Sequence, residues 1–415
     1  MLLTACGAGA DEEPAGADVD SEVSGELRLL TPIFEGADGK ALLEEELLPS
    51  FYEEYPDVSV SVDYTTYGSL NEKLTTALAS GLVPDVMMMG VGWVEPFADR
   101  GALNPLDVKE SSLARYSEGV LAASRWEDEL YALPVMLDAR FGIYRKDMFE
   151  EAGITQPPSS WEEIAEVAAK LTERDASGEL TRAGIDVLSL DPRQMWEVLL
   201  WSNGGDLFSE DGSQVAFNDP EGVEALQFVT DLIQEHKVED IGFSEQGADP
   251  FPIINDRAAM MIGHNNVWTA ALEQRPDLIE DDKLGAFMIE ETEPAMFYGG
   301  TLATMSSRTE HPAAAQALVD FLASEDAALA ASQQRGNVPA LTELLDSEYV
   351  KSNDFVQFAM ENLDSGHPEG GNAAWLEVRS GFTAAIEAAL LGQKTPQQAL
   401  DDLAADAEAA MARQN

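Results

Sequence analysis

Asp138 is the side chain that the sequence sets apart for chemistry. It stands between two apolar extended runs, Tyr131–Leu137 and Phe141–Tyr144, in the stretch YALPVMLDARFGIYRKDMFEEAGI. A carboxylate in such a place must be paired or wet, so it either accepts hydrogen bonds from a polar ligand or pairs with Arg140. Nucleophilic and metal chemistry lack their parts. Neither G-x-S-x-G nor H-E-x-x-H occurs, His236, His264, His311 and His367 are scattered, and Cys6 is the single cysteine. With 77 Asp+Glu, paired carboxylates arise everywhere by chance and carry no argument for a glycosidase. Recognition, rather than catalysis, is the chemistry these residues suit.

The elements that must position Asp138 follow from pattern. Tyr131 to Ile154 reads as a strand that turns at Pro134, a second strand Phe141–Tyr144 and a short amphipathic helix. Paired extended segments of this kind build a hinge between lobes, and 415 residues suit two lobes rather than one core. Before the hinge, strands at Glu26–Thr31, Val58–Val62 and Pro84–Met89 alternate with helical stretches at 43–55, where Pro49 kinks or splits the helix, and at Leu70–Ser80. Ligands of such sheets sit beyond the carboxyl ends of the strands, here near Phe34–Gly36, Tyr64–Tyr67 and Gly90–Trp93. After the hinge, Ser160-Trp161-Glu162-Glu163 is a capping box, which assigns Trp161 to structure. Asp219-Pro220 opens another helix, Leu284–Ile289 reads as a strand, and Tyr298-Gly299-Gly300-Thr301 as a tight polar turn at a second crossing. Ser324 caps a helix that breaks at Arg335-Gly336-Asn337, and Thr395-Pro396-Gln397-Gln398 is a final capping box.

Charge bounds the partners. With 24 Lys+Arg against 77 Asp+Glu, net −53, the chain would repel nucleic acid and an anionic membrane surface. Its 45% hydrophobic content and 7 Trp make it a folded protein with an acidic coat, suited either to a salt-tolerant source or simply to secretion. Leu3-Thr4-Ala5-Cys6 resembles a bacterial lipobox, and the Ala/Gly/Asp/Glu-rich stretch from Gly7 to Gly25 suits a flexible tether. Only Met1 to Ala5 precede the cysteine, so either the true start lies upstream or the match is chance. No other run is long and apolar enough to span a membrane.

From Gly25 onward the order of segments resembles the carbohydrate-type extracellular solute-binding proteins of ABC importers, the maltose- and trehalose-binding kind. The resemblance is carried by KLTTALASGLVPDVMMMGVGWVEPFADRGALNPLD, LPVMLDARFGIYRKDMFEEAGITQPPSSWEEI, WSNGGDLFSEDG, NDRAAMMIGHNNVW, GGTLATMSSRTEHPAAAQALVDFLAS and RGNVPAL. It implies an α/β, two-lobed periplasmic-binding-protein-like fold (type II), each lobe a mixed sheet flanked by helices, with the ligand cleft at the hinge. It divides the chain into a first lobe of 25–136 plus 286–335 and a second of 137–285 plus 336–415. It further implies a monomer without cofactor, metal or catalysis. Such a protein is anchored through Cys6 to the outer face of the cytoplasmic membrane, or periplasmic, and hands sugar to a permease.

Carried over residue by residue, Glu35 looks like an acidic sugar contact, or one more solvated acid, and Tyr67 lines the same lobe or packs in its core. Trp93 looks like a stacking platform or an anchor for its helix, and Trp268 like a stacking platform with core filling as its alternative. Asp138 is the central hydroxyl acceptor. Trp201 and Asn203 are cleft candidates or serve only the turn at Gly204-Gly205, Trp375 is a further cleft candidate, Gly299, Gly300 and Thr301 present amides to sugar, and Arg335 donates to hydroxyls or to a phosphate, or pairs with surface acids. Two departures suggest a ligand unlike plain maltose: Gly90 stands where relatives often carry aspartate, and Thr301 where they often carry tryptophan. The runner-up ligands are glycerol phosphate or a polyol, for which Arg140 and Arg335 are the visible cations; a metal-binding relative lacks a convincing Tyr or His set.

Overall fold

A computed structural model describes residues 23–189, 191–244 and 251–414; Cys6 and nearly all of the tether lie outside them. The fold is α/β. Strands β1 (Gly25–Thr31), β2 (Val58–Tyr64) and β3 (Val86–Gly90) are parallel, with β1 in the middle. Their sequences differ as their positions require. In β2, an edge strand, Val58 is buried and Ser59, Ser61 and Asp63 are exposed, whereas every residue of VMMMG in β3 is covered. Helix α1 (Tyr67–Ser80) starts on the Thr66 hydroxyl, which accepts from the Ser69 amide, and stops at Gly81 in the left-handed region, φ 75°. Upstream, the chain stays helical past Pro49, because a π-helical turn, Leu42–Leu47, precedes it and puts Pro49 in the first turn of Leu48–Glu54.

The junction is built from two long strands. β4 (Ala132–Arg145) runs 14 residues without the turn expected at Pro134. Its far end pairs with β5 (Met260–His264) and β6 (Leu284–Phe287), and its whole first part with β7 (Pro294–Ser306), antiparallel from Thr304↔Ala132 to Phe297↔Arg140. Pro134 produces a bulge instead of a turn: Thr301 faces Met136 and Leu302 faces Pro134, so Val135 has no partner. A residue without an N–H is accommodated in a sheet at such an irregularity. Tyr298–Thr301, expected as a tight turn, is the middle of β7. Gly300 has φ 149°, and a Cβ there would lie 2.4 Å from the Met136 carbonyl oxygen, so the glycine serves close strand approach rather than reversal.

Two large cores flank these strands. One runs along the sheet from Leu29 and Phe51 through Met136 and Phe141 to Trp268 and Phe355. The other is packed by α2 (Trp161–Leu171), α3 (Pro192–Ser202), α4 (Pro220–Gln234), α7 (Phe382–Leu390) and α8 (Pro396–Gln414) around Trp196, Trp201, Phe217 and Trp375. Between them in sequence, α5 (Pro312–Leu322) and α6 (Glu325–Arg335) return to the first. The caps form as sequence implies. The Thr395 hydroxyl accepts from the Gln398 amide and the Gln398 side chain accepts from the Thr395 amide. Ser160 accepts from the Glu163 amide at 3.3 Å, while the Glu163 carboxylate turns to Ser159. Trp161 then stacks on Phe228, ring centres 4.9 Å apart.

Candidate functional site

Strand ends and strand crossings meet in a cavity of about 430 Å³. Its floor is the central pairing of β4 and β7, where Gly299 stands opposite Asp138. A Cβ on Gly299 would come within 2.9 Å of Asp138 Oδ1, so glycine makes room for the carboxylate. From the β3 side come Gly90 and Trp93, joined by Tyr67 and Gly68 at the start of α1. His264 and Asn266 enter from the end of β5, Arg335 and Asn337 from the end of α6, and Gln194, Glu369 and Arg379 from the segments packed around the second core. Phe297 supplies a ring beneath the Arg140 guanidinium, 4.9 Å from its centre.

Charge in the cavity is arranged around Asp138. Burial pushes this carboxyl up, but the guanidinium of Arg140, which pairs with it directly, together with His264 and Arg335, outweighs burial and leaves it below the ordinary range. Asp138 is therefore ionised. His264 goes the opposite way: burial first, then Arg140 and Arg335, push it down to about 3 against the pull of Asp138. The ring is neutral at physiological pH. Its Nδ1 accepts from the Asn266 amide at 2.9 Å, which leaves the proton on Nε2, 3.7 Å from Asp138 Oδ1. Tyr67 is raised by burial and keeps its proton; its hydroxyl bonds Thr301 Oγ1 and lies 3.4 Å from the Gly300 carbonyl oxygen. The site thus offers the carboxylates of Asp138 and Glu369, several guanidinium and ring N–H donors, and a lining that includes the rings of Trp93 and Phe297.

Of the residues expected from sequence, the structure brings Tyr67, Trp93, Asp138, Gly299, Gly300 and Arg335 to this one cavity. Glu35 stands at its edge, exposed, 3.6 Å from Arg335 Nη1. Thr301 is fully buried behind Tyr67. Four others do not reach the cavity. Trp201 lies in the second core, stacked on His367 with centres 5.2 Å apart. Asn203 ends α3, its amide donating to the Glu221 carbonyl and the Glu224 carboxylate. Trp268 packs on Phe355 at 5.3 Å, and Trp375 sits among Phe208 and Phe382. For Trp268 the core-filling alternative describes the placement, and Trp201 and Trp375 are enclosed in the second core in the same way: each lies on or beside a helix whose apolar face turns inward. Gly90 has a local reason, since a Cβ there would sit 3.2 Å from Trp93 Nε1 and the indole takes that space.

Sequence reasoning did not single out His264, Phe297, Gln194, Glu369 or Arg379. His264 closes β5, a signal available from strand-end logic; residues 366–379 carry no periodic pattern that would have exposed the last two. Among the described residues, no group of three or more His, Cys, Asp or Glu is placed to hold a metal ion.

Two α/β cores joined by long shared strands, with a polar cavity at the joint, define a two-lobed solute-binding architecture. The model of the family of bacterial extracellular solute-binding proteins matches residues 35–329, and the chain belongs to that family. It is 25% identical over 398 residues to a binding protein of Brucella abortus, covering 93% of each chain. It is also 25% identical over 343 residues to the arabinooligosaccharide-binding protein of Halalkalibacterium halodurans, 77% of this chain and 74% of that one. In fold it is similar to the GacH receptor of Streptomyces glaucescens, a structure described with acarbose, with TM-score 0.77, 22% identity and coverage of 94% and 99%.

Proposed function

We propose that the protein binds a mono- or oligosaccharide in the cavity at Asp138, outside the cytoplasmic membrane, and presents it by lobe closure to the permease of an ABC importer. The observation that carries this reading is the convergence of an ionised Asp138, N–H donors from Arg140 and His264, and the rings of Trp93 and Phe297 on one cavity. A sugar offers hydroxyls to such a fan of hydrogen bonds and C–H faces to the rings. The oligosaccharides named for relatives support the ligand class.

In this reading the closing hinge lies within β4 and β7 near the Asp138–Gly299 pair; the pairing of β6 with the far end of β4 supports it. Ligand contacts made on both sides of that joint favour the closed form, which is what a permease reads. Binding without turnover fits the site. A glycosidase needs a carboxylic acid that holds its proton, whereas Arg140 keeps Asp138 ionised. Lipidation at Cys6 would hold the protein at the membrane, and the lobed chain acts as a monomer.

The test is a thermal-shift and calorimetry screen of residues 25–415 against arabino-, malto- and manno-oligosaccharides, hexuronates, hexose phosphates, polyols and glycerol phosphate. A ligand at a hundred times its Kd adds about 2.7 kcal/mol to stability. A sugar hit lost in Asp138→Ala, with no hydrolysis product after prolonged incubation, is the expected result. Silence for every sugar, or release of reducing ends, would remove the proposal.

A further inference from the structure

The charge of the cavity runs against that of the molecule. The chain carries roughly three acids per cation, 77 Asp+Glu to 24 Lys+Arg. The cavity reverses this, with three arginines, Arg140, Arg335 and Arg379, against two carboxylates, Asp138 and Glu369. Both carboxylates already have partners. Asp138 pairs with Arg140, and Glu369 pairs with Arg193, a buried guanidinium outside the cavity lining.

Arg335 and Arg379 are differently placed. Arg335 Nη1 donates to the Ile33 carbonyl oxygen at 3.1 Å, and its one carboxylate contact, the exposed Glu35, is 3.6 Å away. Among the described residues the Arg379 side chain donates no hydrogen bond, its backbone N–H going to the Trp375 carbonyl oxygen; Glu369 Oε1 lies 3.6 Å from its Nη2 and the Trp93 ring centre 5.9 Å from its guanidinium carbon. Both 3.6 Å contacts exceed hydrogen-bonding reach. Two guanidinium forks therefore border the cavity with donors to spare. The first turn of α1, a helix of 14 residues, also opens on the cavity at Tyr67 and Gly68 and adds the positive end of its dipole.

We propose that the ligand is an acidic sugar, a saccharide bearing a carboxylate or phosphoryl group, and that Arg335 and Arg379 hold its oxyanion. The inference rests on the sugar-binding reading above and narrows it. Each guanidinium presents paired N–H donors that match two oxygens of one oxyanion, the arrangement in which arginine is most selective. A neutral sugar would leave both half-buried charges to solvent. The acidic coat does not forbid an anionic ligand, since at physiological ionic strength surface charges are screened beyond about 8 Å.

Calorimetry on residues 25–415 tests this with hexuronates and their short oligomers, hexose phosphates, the neutral sugars of the same stereochemistry, and inorganic phosphate. An acidic sugar should bind at least tenfold more tightly than its neutral counterpart. Arg379→Gln and Arg335→Gln should each lower that acid-to-neutral ratio about tenfold, and Arg379→Lys less. The melting temperature of each free variant reports whether it folds. Which acid class wins identifies the oxyanion as carboxylate or phosphoryl. Neutral sugars that bind as tightly as acids, with a ratio indifferent to both arginines, would overturn this inference and leave sugar binding standing. If inorganic phosphate binds as well as any acidic sugar and no saccharide binds, both readings fall.

Discussion

At the scale of the residue, Asp138 and His264 show how one pocket drives two titrations in the same direction. Both groups bind protons less readily in the folded chain than in the unfolded one. For His264 the unfolded state is the more protonated between the ordinary value of 6.5 and about 3, so stability rises with pH through that window and is lost on acidification. His264→Gln should flatten the stability profile between pH 4 and 6.5, read from urea midpoints, and an unchanged slope would show that His264 charges freely. Because the ring is neutral at physiological pH, ligand affinity in the wild type should show no inflection near pH 6.5. A titration step there would contradict the tautomer deduced from the Asn266 contact.

At the scale of the element, β4 and β7 matter most because Asp138, Arg140, Phe297, Gly299 and Gly300 stand on them, and Gly90 and His264 on strands that pair with them. Gly300→Ala would place a Cβ against the Met136 carbonyl at a backbone angle that L side chains avoid. A loss of about 1–3 kcal/mol is expected in chemical denaturation, with sugar affinity reduced because Gly299 and Asp138 shift together. A neutral outcome would show that the two strands separate easily. A second tie runs from α3. Arg193, 2% exposed, is bonded to Glu197 and Glu369 and fixes the segment that carries Glu369 and Arg379. Burial, with Glu369 and Asp191, raises Glu197 against the pull of Arg193, which is the cation bonded to both buried carboxylates. Arg193→Met should cost about 3–5 kcal/mol, the penalty for leaving buried carboxylates without their cation. If instead the variant keeps the wild-type midpoint, the cluster is protonated and Arg193 is dispensable.

At the scale of the whole molecule, a net charge of −53 is spread over a folded surface that repels itself. Raising sodium chloride from 0.1 M to 2 M should raise the melting temperature of residues 25–415, and a flat or falling curve would show that the coat is already paired. The same salt series should leave neutral-sugar affinity nearly constant, since hydroxyl contacts are not screened as ion pairs are.

Sequence by itself determined the local and the periodic. The β-α-β order, the buried run of β3, the caps at Ser160, Ser324 and Thr395, and the extended segment that carries Asp138 were legible because each depends on neighbours within a few residues. Those constraints act through backbone propensity, capping and apolar spacing, which any short window contains. The type and order of the segments also carried the family. Tertiary structure decided what neighbours across hundreds of positions impose. Pro134 and Gly299–Gly300 read locally as turns, yet strand pairing holds both in extended backbone, with a bulge absorbing the missing N–H. Trp268 read as a stacking ring and Trp201 and Trp375 as cleft residues, and core packing enclosed all three, because a large apolar face gains more from burial than from an open cleft. His264, Arg379 and Glu369 meet Asp138 only when four distant segments converge, and no spacing in a linear chain encodes that meeting.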